Sequence, residues 1–444
     1  MKRRLLALAV PLALACAALP AAGEDLMDIY RDAQRADPAL AAARANWLAL
    51  QETAPQARAG LLPNVGFSAA VNANDVYNNT RAQPPVIASG NYQSYGATIS
   101  ATQPIYRVQN AVAFDQAKRV VEQADFTLAT AQQDLIIRVA VAYFDVLLAQ
   151  FNVELSVAQK AAVSEQLAQA KRNFEVGVAT ITDTNEAQAN FDQIVAQEIA
   201  ARNDLDVKET ALRAIIGRAP RELKKLGPGF DPAPPTPDSL NAWLDRALKE
   251  NLAVRVAQVN YDIAVLEVDR QRAGHLPTLD LVGSLNASGA NGSTSSDASF
   301  HARNAAIGLA LNLPLYQGGC VDSKVREAVA LQDSAREALE LARRNALFNA
   351  QVGYTGVNSS VASVRATTQA VQSAEVALQS NRLGQEVGVR TNLDVLNVQQ
   401  TVFTQRRNLA QAYFSYLVNQ LRLKAAVGTL SEQDLEDINR RLAG

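Results

Sequence analysis

Residues 108–174 read VQNAVAFDQAKRVVEQADFTLATAQQDLIIRVAVAYFDVLLAQFNVELSVAQKAAVSEQLAQAKRNF and hold neither glycine nor proline. From Ile105 to Val176 nothing breaks a helix, and alanine, leucine, glutamine, glutamate and arginine dominate. At helical rise this stretch is a rod of roughly 100 Å. One apolar stripe runs through Leu128, Ala131, Leu135, Val139, Ala142, Val146, Ala149 and Val153, and a second through Ile137, Val141, Phe144, Leu148, Phe151 and Leu155. Both step by three and four, the spacing of coiled coils. Two seams on one helix require two neighbours, as in a ring of helices.

Outward from this rod, the chain repeats itself at an offset of about 210 residues. Ala59-Gly60-Leu61-Leu62-Pro63 recurs as Ala273-Gly274-His275-Leu276-Pro277, Pro104-Ile105-Tyr106 as Pro314-Leu315-Tyr316, and Val176-Gly177-Val178 as Val387-Gly388-Val389. Asp183 recurs as Asp394, Gln188 as Gln399 and Gly217 as Gly428. A first repeat over 24–217 and a second over 239–444 follow, joined by a linker over 218–238 in which Pro228, Pro232, Pro234, Pro235 and Pro237 forbid regular structure.

Each repeat reads helix, strand, loop, strand, long helix, turn, shorter helix. Strands are expected over 64–74 and 92–103, then 278–288 and 304–313, because apolar residues alternate with small or polar ones, as in Val65, Phe67, Ala69 and Val71. Long polar loops are expected over 75–91 and 289–303. Long helices are expected over 107–174 and 320–383, with return helices over 182–216 and 393–427 that cover only about half of each rod. Leu26–Arg58 and Leu240–Arg272 have the length to cover the rest, the first broken near Pro38 and Pro55. Gly353 and Gly356 weaken the second rod locally.

Met1–Gly23 begins with Lys2, Arg3 and Arg4, continues apolar to Leu19 and ends in small residues, the pattern of an export signal. Its removal takes the formal charge from −2 to −5, a balance that favours no nucleic-acid partner. Cys16, inside this segment, matches a lipoprotein cleavage box poorly, and Cys320 alone would remain, so no intrachain disulfide is expected. No further run of 18 or more apolar residues occurs, so a membrane role falls to the strands. Four strands cannot close a barrel, and open edges in lipid are costly, so strands must be pooled with copies of the chain; three copies would supply twelve.

The chemistry of catalysis is missing. His275 and His301 are the only histidines and neither has a second metal ligand at helical spacing, while no phosphate loop or nucleophile motif occurs. No enzyme, metal site or cofactor is expected. The specific signal lies in the two turns Val176-Gly177-Val178 and Val387-Gly388-Val389, where glycine lets the chain leave the long helix and Asp183 or Asp394 suits the exposed amides of the next one. These turns end the helical tube, so polar residues there would set what passes.

These features, with the closing segment Asn419-Gln420-Leu421-Arg422-Leu423-Lys424-Ala425-Ala426-Val427-Gly428-Thr429-Leu430, resemble the TolC family of outer-membrane efflux and secretion ducts over nearly the whole mature chain. The resemblance implies a mainly α fold with a membrane β-barrel. In it a homotrimer forms a twelve-stranded β-barrel in the outer-membrane lipid of a Gram-negative bacterium, continuous with a twelve-helix coiled-coil α-barrel in the periplasm. It further implies a periplasmic adaptor docking at the tips and an inner-membrane RND or ABC transporter. Arg390 matches the family's gate arginine, bonding near Thr182 and Asp183, and Asp394 matches its acidic ring. Gln385 stands where the family has a gate tyrosine and Asn397 where it has a second acid, which implies a gate held by fewer bonds. A periplasmic coiled-coil scaffold without a pore explains the helices and the signal but not the alternating strands. A narrow metal-ion subtype has no support from two histidines and two methionines.

Overall fold

The computed structural model describes residues 23–80, 86–225, 227, 231–292 and 298–442. Its elements are α1 (Leu26–Ala36), α2 (Pro38–Gln51), α3 (Thr53–Ala59), β1 (Asn64–Thr80), β2 (Val86–Tyr106), α4 (Val108–Glu175), α5 (Ile181–Ile216), α6 (Leu240–Glu250), α7 (Leu252–Arg272), β3 (Thr278–Ala290), β4 (Phe300–Asn312), α8 (Cys320–Glu386), α9 (Asn392–Ala426) and α10 (Glu432–Asn439). The expected export signal, with Cys16, lies outside the described residues apart from Gly23.

The strands form one antiparallel sheet in the order β1-β2-β3-β4. Its register lines up Phe67, Ile99, Leu285 and Ala305 across all four strands, and likewise Ala101, Gly283 and Ile307 beside Val65. A whole apolar face results, and it is bare: Phe67 is 71%, Val71 76% and Ile307 81% exposed. β1 and β4 are the edges.

The expected loop over 75–91 is mostly strand. Asp75 pairs with Asn91 and Thr80 with Val86, because Val76, Tyr77, Val86 and Ile87 are strand-forming residues inside a stretch that reads as polar. The expected loop over 289–303 is shorter too, since β3 reaches Ala290 and β4 begins at Phe300.

Long helices α4 and α8 organise the rest. α4 packs against α2, α3, α5, α7 and α9, while α8 packs against α6, α7 and α9. The short helices follow one another in two stacks, α1 meeting return helix α5 and the α6–α7 break meeting the end of return helix α9. The first stack breaks at Asp37, with Pro38 as the first residue of α2, and again at Glu52, so that Pro55 falls in the first turn of α3 where its missing N–H costs nothing. Leu240–Arg272, expected as one helix, is two, broken at Asn251 without a proline. The Asn251 side chain caps α7 by accepting from Val254 N–H at 3.0 Å and donates to the Ala426 carbonyl at 2.8 Å, which ties the break to the end of α9.

Polar groups of α4 bond to the first break and to the turn that follows α9. Arg138 donates to Asp37, and Gln133 donates to the carbonyls of Gly428 and Leu430, each at 3.0 Å. Around this level lies the apolar core, with Leu135, Val139, Tyr143, Phe144, Leu417 and Leu421 fully buried among α1, α6 and α10. One 18-residue window of α4 is apolar enough to cross a membrane, with mean hydropathy 1.6, yet half of it is buried here against other helices. Its hydropathy serves packing. α10, where the sequence suggested only a tail, is a helix opened by a capping box in which Asp434 accepts from Ser431 N–H at 2.8 Å. Gly353 lies against α9, where an added Cβ would meet Leu423 Cδ1 at 3.1 Å.

Candidate functional site

Both rods end in the same backbone device. At the first tip Gly177 N–H donates to Phe174 C=O at 3.0 Å and Val178 N–H to Asn173 C=O at 2.9 Å; at the second, Gly388 donates to Gln385 at 3.0 Å and Val389 to Gly384 at 2.9 Å. This pattern satisfies the last carbonyls of the helix and needs a left-handed residue at its centre. Gly177 (φ 79°) and Gly388 (φ 80°) are those residues.

The chain then re-enters a helix three residues later. Thr180 accepts from Asp183 N–H at 3.2 Å while the Asp183 carboxylate accepts from Thr180 N–H at 2.8 Å, and Thr391 and Asp394 repeat this at 3.2 and 2.9 Å. Those bonds from the Thr180 backbone and hydroxyl hold the Asp183 carboxyl below the usual carboxylate range. Asp394 is lowered likewise by Thr391, with a further contribution from the Arg390 charge. Thr180 and Thr391 were not singled out from sequence, though Thr-x-x-Asp after a glycine turn is a capping-box signature.

Between cap and re-entry the tips display apolar side chains. Val176, Val178, Val387 and Val389 are all exposed, at 67–75%. The valines do not serve the turn itself, whose bonds are all from backbone. The four exposed valines lie at the far ends of the two helical hairpins.

The remaining expected site residues differ between the tips. Thr182 is exposed on the first turn of α5, and its counterpart on α9 is Leu393. Arg390 is exposed and faces the Asp394 charge on its own turn, where the first tip has Ala179. Among the described residues Arg390 makes no side-chain hydrogen bond to Thr182 or Asp183 of the same chain. Gln385 lies half-buried in the last turn of α8, and Asn397 is exposed on α9, its carbonyl accepting from the Thr401 hydroxyl at 2.9 Å. The structure thus brings Thr180 to Asp183, and Thr391 and Arg390 to Asp394.

Comparison with known proteins places this geometry. The family described as outer membrane efflux protein matches residues 29–218 and 243–429. The chain is 35% identical to the outer membrane protein TolC of Vibrio cholerae over 99% of both chains. It is 33% identical to the alkaline protease secretion protein AprF of Pseudomonas aeruginosa, over 93% of this chain and 86% of that one. Among solved structures, the CmeC outer membrane channel of Campylobacter jejuni superposes with a TM-score of 0.79 at 16% identity, over 95% of this chain and 90% of that one.

Proposed function

The chain belongs to the outer membrane efflux protein family, and on that premise we propose that it is a passive outer-membrane exit duct, serving efflux and type I protein secretion with a periplasmic adaptor and an inner-membrane transporter. We further propose that three copies form a twelve-stranded barrel continuous with a twelve-helix tube.

One observation carries this reading: the chain is a wall with unmatched edges. Its sheet has an apolar face open to the surroundings and two unpaired edge strands, β1 and β4. Such a sheet is tolerable in lipid only when closed. On α8, Leu331, Leu341, Phe348, Val352, Val376 and Leu383 are all more than half exposed and fall on one stripe stepping by three and four. That is a coiled-coil seam with no partner in the chain. α5 offers exposed Ile199 and Val207 at the opposite edge. A second copy, laid α8 against α5 and β4 against β1, meets both needs at once, whereas a scaffold without a pore has no use for the lipid-facing sheet.

In this reading the four tip valines receive the adaptor, and Arg390, Asp183 and Asp394 hold the periplasmic mouth closed. The duct's cargo follows the transporter behind it. Purified protein should migrate as a heat-dissociable oligomer, fractionate with the outer membrane and conduct in planar bilayers. A monomer in detergent that passes no ions would end the proposal. Arg390→Ala and Asp183→Ala should each raise single-channel conductance; unchanged conductance in both removes them from the gate. Deleting the gene and scoring both toxic-compound sensitivity and loss of secreted proteins identifies the cargo.

A further inference from the structure

Gly384 sits inside the last turn of α8, and its backbone does not explain why it is glycine. Its φ is not in the left-handed region, and its carbonyl accepts from Val389 and Arg390 N–H at 2.9 and 3.1 Å, bonds any residue could accept. Its counterpart, Asn173, accepts the same two bonds at the first tip, from Val178 and Ala179. Glycine is the poorest helix former after proline, so something else keeps it there.

The reason is visible in space. A Cβ on Gly384 would lie 2.8 Å from Arg390 Cγ, closer than nonbonded carbons tolerate, and would touch Arg390 Cβ at 3.4 Å. The aliphatic stem of Arg390 is laid across the bare backbone of α8. At the first tip Ala179 stands in place of the arginine, no stem crosses the helix, and Asn173 is accommodated. Only the tip with an arginine has the glycine.

We propose that Gly384 is a positioning residue for Arg390: by leaving a gap in the wall of α8 it fixes where the guanidinium is held, and hence which groups at the mouth it can reach. The assignment of Arg390 to closure rests on the gate reading above, but the packing relationship does not. Two readouts separate them. Gly384→Ala is made alone and with Arg390→Ala in the full-length protein, and thermal midpoint and single-channel conductance are measured for all four proteins.

Removal of the stem frees the space, so Gly384→Ala raises the midpoint in the Arg390→Ala background and raises it less, or lowers it, when Arg390 is present. Equal shifts in both backgrounds overturn the positioning role, whatever conductance does. For conductance, Gly384→Ala increases it when Arg390 is present and adds nothing to Arg390→Ala. If Arg390→Ala alone raises conductance and Gly384→Ala does not, the gate reading stands and the positioning role falls. If Arg390→Ala changes nothing, the gate reading falls and the thermal cycle still decides whether Gly384 places the side chain.

Discussion

Arg138, midway along α4, places its Nη2 2.5 Å from Oδ2 of Asp37, a carboxylate that is only 4% exposed at the break between α1 and α2. Burial alone would raise the pKa of Asp37, and the hydrogen bond from Arg138 with those from Ala39 and Leu40 N–H outweighs it, so the carboxyl stays ionised. Arg138→Ala strands that charge. The expected loss is about 2 kcal/mol, less than for a sealed pair because the guanidinium is about one-third exposed. Adding Asp37→Asn should recover most of it, since Asn251 already caps the equivalent break without a charge. Thermal melting of the parent, Arg138→Ala and the double variant checks both statements.

The tip caps are accessible to a local measurement. Thr180→Ala and Thr391→Ala each remove the hydroxyl that accepts from the third helical N–H, at a cost of about 1 kcal/mol. At an exposed helix end this should appear as faster amide exchange over 181–184 or 392–395 with little change in global melting. Serine at either position should restore protection; exchange unchanged by alanine would mean that the caps contribute nothing.

Glu267 sets an acid limit on the α4–α7 seam. Burial opposes its ionisation, but hydrogen bonds from Arg270, Gln116 and Gln271 overcome this and bring its pKa down to about 2 from 4.5. Because the folded value is depressed, its contribution is complete above about pH 4.5 and is lost as pH falls toward 2. The contribution is on the order of 2 kcal/mol. Glu267→Gln should therefore be less stable than the parent at pH 6, and the gap should narrow below pH 4. A gap independent of pH would assign the effect to lost hydrogen bonds alone.

Two buried tyrosines fasten the linker. Tyr143 donates to Lys224 C=O at 2.8 Å, and Tyr416 donates to Ala233 C=O at 2.9 Å while accepting from Ala233 N–H at 3.0 Å. Tyr143→Phe and Tyr416→Phe should each cost about 1–2 kcal/mol, more for Tyr416 because a donor is orphaned along with an acceptor. Limited proteolysis within 218–238 should quicken before the rods are touched.

Legibility in the sequence followed the range of the forces involved. The first rod can be read because about seventy residues pass without glycine or proline, the second because it repeats the first and no proline follows Pro314, and the tips because Gly177 and Gly388 are needed where the backbone turns left-handed. The break at Asn251 is invisible locally: nothing in Leu240–Arg272 forbids one helix, and it is the end of α9 that forces the split. There, a side chain on Gly428 would collide with the Glu250 carbonyl. The hairpin past Asp75 was hidden by asparagine-rich composition over strand-forming residues. Of the site, the aspartates are legible as helix-start residues, the capping threonines stand out only once Thr-x-x-Asp is set against the glycine turn, and the gate role proposed for Arg390 rests on resemblance alone. Only in three dimensions would a side chain at 384 compete with the Arg390 stem for one space.

The staggered splices have a mechanical corollary. Where α1 meets α5 and the α6–α7 break meets the end of α9, the wall's continuity is noncovalent, yet α4 passes both levels unbroken, bonding to Asp37 through Arg138 and to the Gly428 and Leu430 carbonyls beyond α9 through Gln133. In the proposed assembly, tension applied at the tip valines travels up covalent rods, and the joints need only resist sliding. Slack introduced beside α4 should blunt transmission of that pull, whereas equal slack in α1 or α6 should pass unnoticed at the far end.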